Sequence, residues 1–210
     1  HLVVALAGHE VEAIDEIYFN DEEVPLSGNQ PTGFYSGVAL INKKRGVPND
    51  TADADLIAAT VNLTDGKWTS DHKLSGIAYL YVRLTWDAEK YPSGIPNISA
   101  VVRGRKVFDP RTSTTAYSAN AALCLRDYLT NSLGMGMTTA EMDDTAFGAA
   151  ANICDENVEI KPVTVPATEE NRYEANGVVS TSASPDENIG KLLSAMGGLI
   201  AYTGGKIAPY

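Results

Sequence analysis

The sequence predicts an α+β fold in two parts. A barrel-like, β-rich domain spans residues 1–110, and a smaller, helix-containing α+β domain spans residues 111–210. Three observations predict it. Apolar residues recur with the two-residue period of strands before Arg111. After Arg111 the period lengthens to that of helices. Near the C-terminal end, Ser184, Pro185, Asp186 and Glu187 form a complete helix start ahead of an apolar stripe.

The elements follow in order. Residues 2–6 are a near-continuous apolar run, as expected of a strand covered on both faces. Residues 14–19, a turn at Asn20 and Asp21, and residues 22–26 read as a hairpin with an acidic turn, and Pro25 keeps its second strand at an edge. Residues 27–33 are a loop by composition, and residues 38–42 a short strand. Residues 50–60 read as a short helix with Asp50, Asp53 and Asp55 at its start, where backbone N–H groups favour negative charge. A calcium loop counted from Asp53 lacks the glycine and glutamate that it needs. Residues 77–86 give the clearest strand. One face holds Ala78, Leu80, Val82, Leu84 and Trp86; the other holds Ile77, Tyr79, Tyr81, Arg83 and Thr85.

In the second domain Asn120 is the expected N-cap of a helix near 120–133, which carries Ala122, Leu125, Leu129 and Leu133 on one stripe and stops at Gly134. Thr138 and Glu141 have capping-box spacing and open a helix near 139–154. Pro162 and Pro166 make residues 161–168 extended. A strand over 173–181 leads into the helix at 185–196, whose stripe is Ile189, Leu192, Leu193 and Met196. A hairpin turning at Gly204 and Gly205 follows, giving a β-α-β unit.

The 210 residues carry a net charge of −11 and no apolar run approaching the ~20 residues of a membrane span. That charge argues against general binding to nucleic-acid backbone. Two basic spots, Lys43-Lys44-Arg45 and Arg103 to Lys106, are each too short to define a face. The first residues lack the basic start and cleavage end of a signal peptide. They read as mid-strand, and the last hairpin reads as just beginning its second strand. The sequence is therefore expected to be a piece of a longer protein, with the first domain incomplete at its N-terminus.

No catalytic set is recognisable. The three histidines, His1, His9 and His72, have no zinc spacing between them or with Cys124 and Cys154. No nucleophile elbow, P-loop or dinucleotide fingerprint occurs. No catalytic, cofactor-binding or metal residues are assigned. Cys124 and Cys154 sit in apolar helical settings and are expected to be buried free thiols. Trp68 and Trp86 are candidates to stack on sugars or to serve as core or interface residues.

The chain resembles the central tail hub, or tail-tip host-specificity, proteins of bacteriophages with long non-contractile tails. The resemblance lies in VALAGHEVEAI at residues 4–14, EIYFNDE at 16–22, GKWTSDHKL at 66–74 and GIAYLYVRL at 76–84. It continues through SGIPNISAVVRGRKVFDPR at 93–111, ALCLRDYLT at 122–130 and LLSAMGG at 192–198. It implies a structural component of a phage or prophage tail tip, not an enzyme. It implies a homotrimeric ring that closes the tail tube, contacts other tail-tip and tape-measure proteins, and lets DNA pass without specific binding. It also implies a virion protein assembled in the bacterial cytoplasm, with no cofactor. A receptor- or carbohydrate-binding module of the tail and a cell-wall hydrolase domain are the alternatives.

Two sets of surface residues follow. Tyr79, Tyr81 and Arg83, at strand spacing, form either a subunit interface or a second sheet face beneath a helix. In a ring that passes DNA, the carboxylates of Asp21, Glu22, Glu23, Asp143 and Asp144 are candidates for an acidic channel face, since they repel phosphate.

Overall fold

The structure is a computed structural model that describes residues 1–160 and 168–210. The extended stretch expected over 161–168 lies outside the described residues except for Thr168. Helices and strands are mixed, and the chain divides into two compact units, His1–Lys106 and Val107–Tyr210.

The first unit is built from strands. β1 (Leu2–Ala7), β2 (Ala13–Phe19), β3 (Glu22–Glu23), β4 (Leu26–Ser27), β5 (Gln30–Pro31) and β6 (Ala39–Lys44) precede helix α1 (Ala54–Thr60). β7 (Ala78–Leu84) and β8 (Ile98–Arg103) follow it. Two three-stranded antiparallel sheets result, in the orders β1-β7-β6 and β3-β2-β8. They share one core. Leu80 and Val82 of β7, Ile41 of β6, and Ile17 and Phe19 of β2 are almost fully buried in it. Ile14 and Ile17 are three residues apart, a spacing that would put them on opposite faces of a regular strand. A register shift between Ile14 and Glu16 turns both inward. The two sheets are stitched where β6 nears β2: Val11 N donates to Arg45 O at 2.9 Å. Lys43 Nζ donates to Ile14 O at 2.8 Å and Asp15 O at 2.9 Å. No ladder joins β1 to β8 among the described residues.

Several elements depart from their expected form. β1 is a strand, but an edge strand with one open face, and its Val3 is 40% exposed. The acidic hairpin forms with Asn20 and Asp21 at positive φ, as a two-residue primed turn requires. α1 starts at Ala54 and not near Asp50, because Asp53 acts as its N-cap by accepting from Leu56 N. The Ser93–Arg111 run holds two strands as expected, but β8 pairs with β2 while the next strand pairs forward. The break at Gly104 thus falls just ahead of the boundary between the units.

The pair β9 (Lys106–Asp109) and β10 (Thr114–Tyr117) opens the second unit, with β9 starting at the last residue of the first. α2 (Ala121–Thr130), α3 (Asp144–Cys154) and the hairpin β11 (Asn157–Ile160) and β12 (Thr168–Asn171) come next. α4 (Pro185–Met196) and the hairpin β13 (Ile200–Thr203) and β14 (Lys206–Pro209) complete it. Its core is helical. Ala121, Ala122, Leu125 and Leu129 of α2 meet Phe147 and Ala151 of α3 and Leu192 and Met196 of α4.

α2 ends at Thr130, three residues short of the expected end, and Leu133 is 63% exposed. The chain turns back at Asn131, and Met135 N and Met137 N then donate to Tyr128 O and Leu129 O, capping the last turn. Gly134 permits this return, since a Cβ there would stand 2.0 Å from Tyr128 O. The Thr138–Glu141 capping box forms, but closes only a short 3-10 turn over Thr139–Glu141. Met142 is then captured beside Ile207, Asp143 N donates to Ile207 O at 2.9 Å, and α3 restarts with Asp143 as its N-cap. The strand expected over 173–181 is reduced to a bridge between Glu174 and Asn120. Among the described residues no strand pairs with the rest of this stretch, and Val178 is 89% exposed. The β-α-β unit is therefore not formed. α4 has the expected cap, stripe and stop, with Gly197 in the left-handed region at φ 65°.

Candidate interaction surfaces

Tyr79 and Tyr81 are buried within their own chain. They are 1% and 0% exposed, covered by Leu56 of α1 and by Trp68 and Leu74 of the loop that follows it. Burial, with Asp53 and Asp50 nearby, pushes the Tyr79 hydroxyl up to about 12. Among the described residues its oxygen has no hydrogen-bond partner, whereas Tyr81 Oη meets His1 Nδ1 at 2.8 Å. The second sheet face beneath a helix is the arrangement present. Of the three residues only Arg83 is exposed. Spacing along β7 could not reveal this, because the covering residues come from sequence positions up to 25 residues away.

The acidic candidates separate into two kinds. Asp21, Glu22 and Glu23 are exposed at the tip of the β2–β3 hairpin. Asp143 and Asp144 serve their own unit. Asp143 caps α3 by accepting from Thr145 N and Ala146 N. Asp144 holds Arg126 at 2.7 Å, and the Arg126 side chain is only 4% exposed. The guanidinium also lies over the Phe108 ring, 4.8 Å from its centroid.

Asp50, Asp53 and Asp55 surround a different arrangement. An open cleft of about 410 Å³ is lined by Asn29, Asn42, Lys44, Asp53 and Asp55, among others. Asn42 Nδ2 donates to both Asp53 Oδ2 and Asp55 Oδ2 at 2.8 Å. Asn29 Nδ2 donates to Asn42 Oδ1 at 3.0 Å, and Lys44 pairs with Asp50 at 3.3 Å. The carboxylates are thus partnered by an amide, a backbone N–H and an ammonium. Among the described residues no group of three His, Cys, Asp or Glu side chains is placed to hold a metal ion.

A second cleft, of about 300 Å³, is apolar. His1, Leu2, Leu84, Trp86, Tyr91, Gly94 and Ile95 line it. Trp86 is 70% and Ile95 69% exposed. The strand pattern assigns Trp86 to the core face of β7, but the strand stops at Leu84 and releases the indole to the surface. Tyr91 is buried beneath it, and its hydroxyl donates to Val38 O at 3.2 Å.

The two basic spots of the sequence meet at one segment. Lys43 bonds the carbonyls of Ile14 and Asp15, Arg45 bonds Glu12 O, Arg103 pairs with Asp15, and Lys106 pairs with Glu10 at 2.9 Å. They fasten the start of β2. Both thiols are free. Burial, then Asp127 and Cys154, pushes Cys124 up to about 11, and burial also raises Cys154.

No family model matches the chain, and neither does any curated protein.

Proposed function

We propose that this chain is a structural module of a phage or prophage tail tip, part of the hub ring that closes the tail tube and supports receptor-binding regions. The observation that carries the reading is the series of resembling segments, which runs in order through both compact units. The exposed apolar cleft at Trp86 and Ile95 supports it, because such a patch on a chain of net charge −11 suits a surface that is covered in an assembly. On this reading the chain is a homotrimer in the tail, it contacts tape-measure and other tail-tip proteins, and it performs no catalysis. The two sheets of the first unit are the wall of a barrel-like hub domain. Of the acidic candidates, Asp21, Glu22 and Glu23 face the lumen, since Asp143 and Asp144 have structural partners in their own unit.

An epitope tag on this chain in its parent phage tests the reading. Gold-labelled antibody should mark the tail end distal to the head. Label elsewhere on the particle, or its absence from purified particles, would overturn it.

One observation favours a second reading. The free indole of Trp86 could stack on a sugar ring, as in a carbohydrate-binding module of the same tail. Saturable quenching of tryptophan fluorescence by cell-surface oligosaccharide, lost in Trp86→Ala, would favour that reading.

A further inference from the structure

The first unit manages some of its sheet edges and not others. β3 is two residues long and both are glutamates, and shortness and charge blunt an edge. β6 is backed by the β4–β5 hairpin, where Ile41 N donates to Asn29 O at 2.9 Å. Among the described residues nothing comparable protects β1 or β8. Each is six residues long, LVVALA and ISAVVR, with no carboxylate or proline, and the sole charge is Arg103 at the end of β8. Among the described residues each pairs on one side only, β1 with β7 and β8 with β2.

The core is thin along these same strands. On the central strand β7, Ala78, Leu80 and Val82 are 0% exposed. The inward residues of the edges, Leu2, Val4 and Leu6 on β1 and Ile98, Ala100 and Val102 on β8, are only partly buried. The apolar cleft at Leu2, Leu84, Trp86 and Ile95 continues the uncovered strip from the start of β1 to the loop that leads into β8. An uncharged edge with unpaired backbone groups and a half-covered apolar row is a template for another strand.

We propose that β1 of one copy pairs with β8 of the next. The two edges match in length, in alternation and in lack of charge, and every copy carries both. Pairing β1 with β1 would cover one kind of edge and leave β8 open. Pairing β1 with β8 covers both at each junction. It is a head-to-tail contact, which closes into a ring where the rotation allows. Closure at three copies rests on the tail-hub reading; the edge pairing itself does not.

Single-cysteine variants of the whole chain test this. Val3 and Ala5 on β1 and Ser99 and Val101 on β8 point outward and are exposed, so Val3→Cys, Ala5→Cys, Ser99→Cys and Val101→Cys leave the core intact. Facing Cβ atoms in paired strands lie close enough for a disulfide in a matching register. Of the native thiols, Cys154 is buried in the core cluster of the second unit, and Cys124 packs against that cluster, partly buried and with its thiol pushed up to about 11. Under mild oxidation, each variant alone should stay uncrosslinked. A mixture of a β1 variant with a β8 variant should give a disulfide-linked pair in at least one of the four combinations. In parallel, light scattering should show wild-type assembly weakened at least tenfold by Val3→Lys with Val101→Lys. Cross-linking of Val3→Cys with itself, no product in any mixture, or a wild-type chain that stays monomeric at every concentration would overturn the proposal. A trimer without mixed products would sink the edge pairing and leave the ring reading intact. Mixed products from a chain that does not label tail tips would do the reverse.

Discussion

The two units are nearly equal in length, yet they enclose their cores differently. In Val107–Tyr210, α2 is held between α3 and α4, and Leu125 and Phe147 are 0% exposed. Buried polar groups lock this packing. Asn120 Oδ1 accepts from Ala122 N and Leu123 N, while its Nδ2 donates to Ala151 O at 2.9 Å and Asp155 Oδ1 at 2.8 Å. One side chain thus caps α2 and ties it to the end of α3. In His1–Lys106 the core is well covered at β7 and thins toward β1 and β8. Helices can close a core from within one chain, whereas sheets that do not close leave edges. Among the described residues the second unit thus encloses its core with helices, whereas the first leaves the inward rows of β1 and β8 half covered.

The largest expected contrast comes from core truncation. Phe147→Ala should cost the second unit about 4 kcal/mol, while Val4→Ala in the half-covered row of β1 should cost about 1 kcal/mol or less. The chain carries natural probes for this. Both tryptophans, Trp68 and Trp86, lie in the first unit, and the three longest helices lie in the second. Denaturant unfolding followed by fluorescence and by helical circular dichroism reports the two separately. Equal losses at the two sites would remove the distinction.

Asp144→Asn should cost the second unit about 2 kcal/mol. It leaves the nearly buried Arg126 without its carboxylate, and the half-exposed position of Asp144 keeps the loss below that of a fully buried pair. A change under about 0.5 kcal/mol would return Asp144 to the pool of surface charges. In the first unit, Asp53→Ala removes the cap of α1 and should cost about 1 kcal/mol. Limited proteolysis should then cut near α1 sooner, because its cover over Tyr79 and Tyr81 loosens.

Extremes of pH should distinguish the units more gently. Arg111 holds Asp109 below the ordinary aspartate range, and Thr138 does the same for Glu141. Both lie in the second unit. Their folded values are depressed, so their contribution is present above the ordinary carboxylate range and is lost as pH falls through the folded values. The second unit should accordingly lose some stability in acid, read as a lower melting temperature of the helical signal. Tyr79 and Tyr91, pushed up to about 12 by burial, lie in the first unit. A raised folded value gives stability that is full below pH 10 and declines as pH rises toward 12. Tryptophan fluorescence should follow that alkaline loss.

Local chemistry was readable in the sequence, and tertiary partners were not. The α4 start at Ser184 and Pro185, the Asn120 cap and the Asn20-Asp21 turn are each set by residues within a few positions, and the structure places them as read. The end of α2, the restart at Asp143 and the lost strand after Tyr173 depend on backbone that returns from a distance. Tyr79 and Tyr81 show the same limit at the candidate site. Alternation put them on one face of β7, but Leu56, Trp68 and Leu74 decide that this face is covered. Trp86 is the converse, assigned to the core by alternation and released because the strand ends two residues earlier.

Amide hydrogen exchange as a function of protein concentration bears most directly on the central claim that the first unit is completed by a neighbour. In dilute solution, peptides from β1 and β8 should exchange faster than those from β7. As concentration rises, protection should grow on β1 and β8 together, while α2 and α3 stay unchanged. Protection of β1 and β8 that matches β7 in dilute solution and does not vary with concentration would contradict the account.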